Sequence, residues 1–285
     1  MTEGDLPASA RVGRAALVVS DVDDLTEFYR DVVGLAVLDR ERDRATLGAG
    51  DTPLLELRAG DVGERPPNAA GLFHVAFRLP DRDALADAFR RIRANWRLSG
   101  ASDHRVSEAL YLRDPEGNGV ELYRDRERSA WPTTDDGRVE MDTRSLDLDA
   151  LAADALAGSG DGEVGGRAPA GTDIGHVHLE VTDLAAARAF YVDALGLRVR
   201  QDWGDGALFT AAGDYHHHVG LNAWNARSEP LAGRGLDWFE LLVPDADAVD
   251  AATARLRGAG FDVERVDDGV AATDADGIEV RLRTE

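Results

Sequence analysis

The sequence predicts an α+β protein built from four strand–helix–strand–strand–strand modules that pair into two cupped-sheet domains. Three observations carry this expectation. Asp21-Val22, Phe28-Tyr29 and Gly34-Leu35 return as Asp183-Leu184, Phe190-Tyr191 and Gly196-Leu197, always 162 residues on (21 to 183, 28 to 190, 34 to 196). A strand ending in Pro80-Asp81 is echoed by one ending in Pro244-Asp245. After each repeated helix come short alternating runs broken by Gly and Asp, the signature of strands and tight turns.

Taken in order, residues 1–11 read as a tail. Arg14–Ser20 alternates as a strand, and Asp21 is placed to cap a helix over Val22–Val33. Leu25, Phe28, Tyr29 and Val32 stand there at core spacing, and Gly34 stops it. Strand-like pieces follow at Ala36–Asp39, Arg44–Leu47 and Pro53–Arg58. The second module runs from the strand Gly71–Leu79 through a helix at Asp81–Asn95 to Tyr123. The fourth runs from Leu236 through a helix at Asp245–Gly258 to Leu282. The modules are thus residues 12–60, 71–125, 174–224 and 235–283, grouped by chain order as 12–125 and 173–285. The acidic, Gly-rich stretch 126–172 reads as a linker carrying a short helix at Asp147–Leu156.

The modules can be compared position by position. Seven residues before each helix-opening Asp stand Arg14, His74, His176 and Trp238, and on the last strands Glu56, Glu121, Gly220 and Glu279. Pairing in chain order splits the histidines. Pairing the second module with the third gathers His74, His176 and Glu121 and leaves Gly220 at the fourth place. Two neutral imidazoles and one carboxylate on one side of an ion leave its other side open. This ligand set suits non-haem Fe(II), or Mn(II), and not a closed structural zinc site. The bland reading, core histidines and a surface carboxylate on an edge strand, requires three register positions to agree by chance.

Composition narrows the function further. Fifty-four Asp plus Glu against 32 basic residues give a net charge of -22, and every basic residue is Arg. Such a surface repels nucleic acid and is the pattern expected of a protein working in high salt, where self-repulsion is screened, the alternative being the acidic bias of a high-GC genome. No apolar run reaches the roughly 20 residues of a membrane span and the N-terminus has no signal character, so a cytoplasmic protein is expected. Zero Cys excludes disulfides and thiolate chemistry.

With Asp-Leu…Phe-Tyr…Gly-Leu and Asp114-Pro115-Glu116-Gly117-Asn118-Gly119-Val120-Glu121 on the page, the chain resembles the vicinal oxygen chelate superfamily of glyoxalase, bleomycin resistance and extradiol dioxygenase proteins. More narrowly, Gly71–Phe77, His104–Tyr123, Ile174–Val181 and Tyr215–Trp224 resemble the bacillus-type catechol 2,3-dioxygenases. The resemblance implies a glyoxalase-like fold and Fe(II)-dependent extradiol cleavage of a small aromatic diol by O2, giving a 2-hydroxymuconic semialdehyde-type product. It also implies a Tyr four residues before the last turn's Pro, which is Tyr111. The fourth module carries Ala271 at that place. A catalytic His implied three residues before Gly220 is His217, although strand alternation points to His216 and His218 instead. A further His matches His104 in type, at a spacing unlike that of other branches. The rival readings are a glyoxalase-like lyase or isomerase and a non-catalytic drug-binding protein. A homo-oligomer is compatible with any of them.

Overall fold

The computed structural model describes residues 6–135, 137–157 and 166–285, and it contains the repeated module four times. The first module comprises β1 (Arg11–Val19), α1 (Val22–Phe28), β2 (Ala36–Arg40), β3 (Arg44–Ala49) and β4 (Thr52–Ala59). The second comprises β5 (Gly71–Leu79), α2 (Arg82–Asn95), β6 (Gly100–Asp103), β7 (Ser107–Arg113) and β8 (Gly119–Asp125). Then come β9 (Arg144–Ser145) and α3 (Leu148–Ala157), the helix expected at Asp147–Leu156. The third module has β10 (Asp173–Glu180), α4 (Leu184–Arg188), β11 (Arg198–Asp202), β12 (Ala207–Ala211) and β13 (Val219–Asn222). The fourth has β14 (Gly235–Val243), α5 (Ala246–Gly258), β15 (Val263–Val266), β16 (Gly269–Thr273) and β17 (Glu279–Thr284).

The capping aspartates start the helices as their sequence context requires. Asp21 accepts hydrogen bonds from the backbone N–H groups of Asp23 and Asp24, and Asp183 does the same for Ala185 and Ala186. The expected helix Val22–Val33 changes character on the way: α1 ends at Phe28, and Tyr29–Val33 continues as a wider π turn. Gly34, at φ 94°, closes that turn with its N–H on the Tyr29 carbonyl, a left-handed conformation that costs glycine little. The third module repeats the device at Ala189–Ala194.

These widened turns aim two buried tyrosines at the last turns of the neighbouring modules. Tyr29 donates to Asp114 Oδ2 at 3.2 Å, and Tyr191 donates to Asp274 Oδ2 at 3.0 Å. Asp114 also accepts from the N–H groups of Glu116 and Asn118 and from the Asn118 side-chain amide. Asp274 likewise accepts from the N–H groups of Asp276 and Ile278. Burial outweighs these bonds and pushes both carboxyls up to about 6, while burial beside the aspartates raises both phenols well above their usual value.

The chain groups into two compact units. One consists of the residues up to Val18, Asp61–Phe73 and Gly175–Glu285; the other of Val19–Gly60 and His74–Ile174. In the first unit, strands run in the order β15-β16-β17-β14-β1 and, separately, β11-β12-β13-β10. In the second they run β4-β3-β2 and β5-β8-β7-β6-β9. The opening strand of the first module, β1, pairs antiparallel with β14 of the fourth, with Ala15 opposite Phe239 and Ala16 opposite Trp238. In the second, third and fourth modules the first and last strands pair in parallel: β5 with β8, β10 with β13 and β14 with β17. No helix among the described residues is long and apolar enough to cross a membrane.

Candidate metal centre and active site

Parallel pairing of β5 with β8 sets Ala76 opposite Glu121, and antiparallel pairing of β7 with β8 sets Tyr111 opposite Glu121. His74 and Ala76 share a face of β5, because successive side chains alternate across a strand. The buried His74 imidazole therefore meets the buried Glu121 carboxylate, Nε2 to Oε2 at 3.0 Å. Two ligands at right angles on an ion with bonds of about 2.1 Å lie about 3.0 Å apart, so this pair fits a small divalent cation.

Tyr111 and His104 complete the cluster in this unit. The Tyr111 ring packs on Ala76, Ala109 and Tyr123, its centroid 5.8 Å from that of His74. Its hydroxyl lies 2.6 Å from His104 Nε2 and is also hydrogen-bonded to Glu121. Burial first, then the Glu121 charge, raises the phenol well above its usual value. His104 Nδ1 sits 2.8 Å from the Asp142 carbonyl oxygen, which can only accept, so Nδ1 carries a proton. The single phenol proton faces two acceptors, His104 Nε2 and the Glu121 carboxylate. No sequence pattern marks Asp142, whose contribution is a backbone carbonyl.

His176 belongs to the other unit, on β10, buried among further histidines. The His217 ring lies 4.0 Å from it, centroid to centroid, and the His216 ring 5.9 Å away. His216 Nδ1 and His217 Nδ1 are 2.8 Å apart, so one donates to the other. His218 is engaged elsewhere: its Nδ1 accepts from the Ala212 N–H and its ring stacks on Tyr215. All three residues lie in irregular backbone before β13, where strand alternation does not apply.

Two register details refine the comparison of modules. In the third, His178 lies opposite Gly220, and a Cβ added at Gly220 would come within 2.7 Å of His178 Cδ2. The imidazole of His178 thus covers the place where another module carries a carboxylate. In the fourth, Glu240 faces Arg281 and Trp238 faces Glu279. Ala76 and Glu240 are both two residues past the compared first-strand position, so Arg281, rather than Glu279, is the counterpart of Glu121. There Trp238 lies between Arg281, 4.1 Å from its ring centroid, and Arg14, 5.6 Å away. Arg14 and Arg283 converge on the buried carboxylate of Glu240. Aromatic and cationic side chains fill the positions that hold ligand-type residues elsewhere.

Comparison with known proteins agrees with this architecture. The model of the Glyoxalase/Bleomycin resistance protein/Dioxygenase superfamily matches residues 11–122 and 173–282. The chain is 37% identical over 270 residues to a protein of Bacillus subtilis (strain 168) named Catechol-2,3-dioxygenase, covering 92% of this chain and 93% of the relative. It is 28% identical over 135 residues to Biphenyl-2,3-diol 1,2-dioxygenase 3 of Rhodococcus globerulus, covering 46% and 71%. The solved structure of glyoxalase I from Zea mays shares the fold, with TM-score 0.58 at 18% identity, over 96% of this chain and 92% of that one. With both matched segments lying on the repeated modules, the chain belongs to the Glyoxalase/Bleomycin resistance protein/Dioxygenase superfamily.

Proposed function

We propose that the protein is an extradiol dioxygenase that cleaves catechol or a substituted catechol with O2 to a 2-hydroxymuconic semialdehyde-type product. Its metal ion would be held by His74, Glu121 and His176, with Fe(II) the expected ion and Mn(II) the alternative. The observation that carries the reading is the buried His74–Glu121 pair at ligand spacing. Among the described residues, His74, Glu121 and His176 are the buried group with the make-up of a metal site. The 37%-identical relative named Catechol-2,3-dioxygenase supports the chemistry.

When bound, the ion would supply open positions where diol and O2 meet, removing much of the entropy cost of bringing them together. The side chains of this chain do the rest. Glu121 offers the negative charge that offsets the cation, and the two imidazoles bind it neutral. Tyr111, held by His104, donates or accepts a hydrogen bond at a substrate oxygen. His217, in contact with His176, takes the proton of a substrate hydroxyl and returns it later in the cycle. His178 over Gly220 leaves no place there for a second carboxylate ligand, which disfavours the glyoxalase-like alternative. We read the charge of -22 without Lys as adaptation to high salt.

The reading is tested with protein purified anaerobically, reconstituted with Fe(II) and given catechol in air. A yellow semialdehyde should form with one O2 consumed per ring. Intradiol product alone, or no product from a panel of catechols with the metal bound, would remove the assignment.

A further inference from the structure

The sheet formed by β1, β14 and β17 carries a second polar cluster, rich in hydrogen-bond donors where the second module is rich in ligands. Trp238 and Glu240 alternate onto one face of β14, and Arg281 and Arg283 onto the same face of β17. The parallel register sets Trp238 opposite Glu279 and Glu240 opposite Arg281. Arg14 joins from β1, its backbone N–H and its Nε each donating to Glu240 at 3.0 Å. Gly13 permits that approach, since a Cβ there would come within 2.7 Å of Glu240 Oε2.

The carboxylates of this face are committed, and donors are left over. Glu240 takes Arg14 and, at 3.4 Å, Arg283 Nη1, while Glu279 accepts from Arg281 Nε at 2.7 Å. Trp238 is only 2% exposed, yet its indole N–H meets no acceptor among the described residues. The buried Nε of Arg283 meets none either. The terminal nitrogens of Arg281 make no hydrogen bond to a described residue, and its side chain is 28% exposed, open to a ligand from solvent. Buried donors without acceptors are costly, so this face calls for an acceptor.

Charge and space point the same way. Three guanidiniums, of Arg14, Arg281 and Arg283, meet the two carboxylates, and the exposed Asp268 comes no closer than 3.9 Å to Arg283. In a chain of net charge -22, a locally cationic face attracts the anions that the rest of the surface repels. Guanidiniums cover the Trp238 ring, Arg281 at 4.1 Å and Arg14 at 5.6 Å from its centroid, which leaves its N–H edge for a ligand. On β16, Ala271 stands opposite Arg281 as Tyr111 stands opposite Glu121. A methyl thus takes the place of a phenol beside Arg281.

We propose that Trp238, Arg281 and Arg283 form a binding site for a small carboxylate, built from none of the residues assigned to the metal. The planar anion accepts from the terminal nitrogens of Arg281, whose fork matches a carboxylate, and from the Trp238 N–H. Arg283 adds positive charge and its own orphaned donor. The site stands whether or not the protein is a dioxygenase.

The test uses the full-length metal-loaded protein, kept anaerobic and carrying isotope-labelled indole nitrogens. It is titrated with acetate and, separately, with inorganic phosphate at constant ionic strength. Acetate should shift the Trp238 indole N–H resonance saturably and leave those of Trp96, Trp203 and Trp224 in place; Trp238→Phe identifies the resonance by its loss. Calorimetry should find acetate bound about 10-fold more weakly by Arg281→Gln, which keeps the length of the side chain but not the charged fork. The wild-type titration decides the matter even where that variant does not fold. A Trp238 resonance that stays in place, as it would if acetate bound only at the metal, would overturn the proposal. So would equal affinity in a folded Arg281→Gln variant, or phosphate taken in preference to acetate.

Discussion

Gly220 shows how one residue can settle what a module does. Its missing Cβ makes room for the His178 ring, so Gly220→Ala sets a methyl 2.7 Å from an imidazole packed among other rings. Overpacking of this kind costs about 1–3 kcal/mol, which urea unfolding would measure, and unchanged stability would show that His178 swings aside freely. Tyr111 makes a sharper functional prediction. Tyr111→Phe removes the hydroxyl between His104 and Glu121 but keeps the ring packing. It should lower kcat by about 100-fold with metal content intact, and a kcat within twofold of wild type would leave Tyr111 only a packing role. The His74–Glu121 pair was legible because strand side chains alternate with period 2 and because the first-strand position lies seven residues before the capping Asp in each module. The choice among His216, His217 and His218 was not, because those residues lie in irregular backbone.

At the scale of elements, the repeated Phe-Tyr and Gly-Leu pairs proved to be structural signals. They mark a π turn that delivers a buried phenol to a buried aspartate in the next module, Tyr29 to Asp114 and Tyr191 to Asp274. These contacts join modules in chain order, whereas β1 pairs with β14 and joins the first to the last. The helices and strands were readable from capping aspartates and alternation, but the π turns were not, since their residues keep helical spacing. Glu279 stands opposite Trp238, two residues short of the Glu121 register; aligning Asp114 with Asp274 in the preceding turns leads to Arg281. The two aspartates also predict a pH dependence. Each carboxyl is raised to about 6 in the folded state, above its unfolded value of 3.8. The folded chain therefore binds the extra proton. The resulting stability is full below pH of about 4 and is lost as pH rises through about 6, amounting to about 3 kcal/mol for each group. Carbon-13 chemical shifts of these carboxyls should titrate near pH 6, with stability falling over the same interval. Midpoints near 4 would mean that the hydrogen bonds to the carboxylates outweigh burial.

For the molecule as a whole, charge and metal make separate predictions. A net charge of -22 repels itself at low ionic strength, and the Debye length shrinks from about 10 Å at 0.1 M salt to about 3 Å at 1 M. The midpoint of thermal unfolding should therefore rise steadily from low to molar KCl; a flat profile would remove the high-salt reading and leave the site untouched. The central claim is that one ion is held by His74 and Glu121 of the second module together with His176 of the third. It rests on a ligand set in which each member is needed, because loss of one of three protein ligands leaves a bidentate site that exchanges its ion readily. The most direct measurement is the iron content of the full-length chain after Fe(II) reconstitution and desalting, compared between wild type and His176→Ala. The account predicts close to one iron per wild-type chain and almost none in a folded His176→Ala variant. Full iron occupancy in that variant would contradict it.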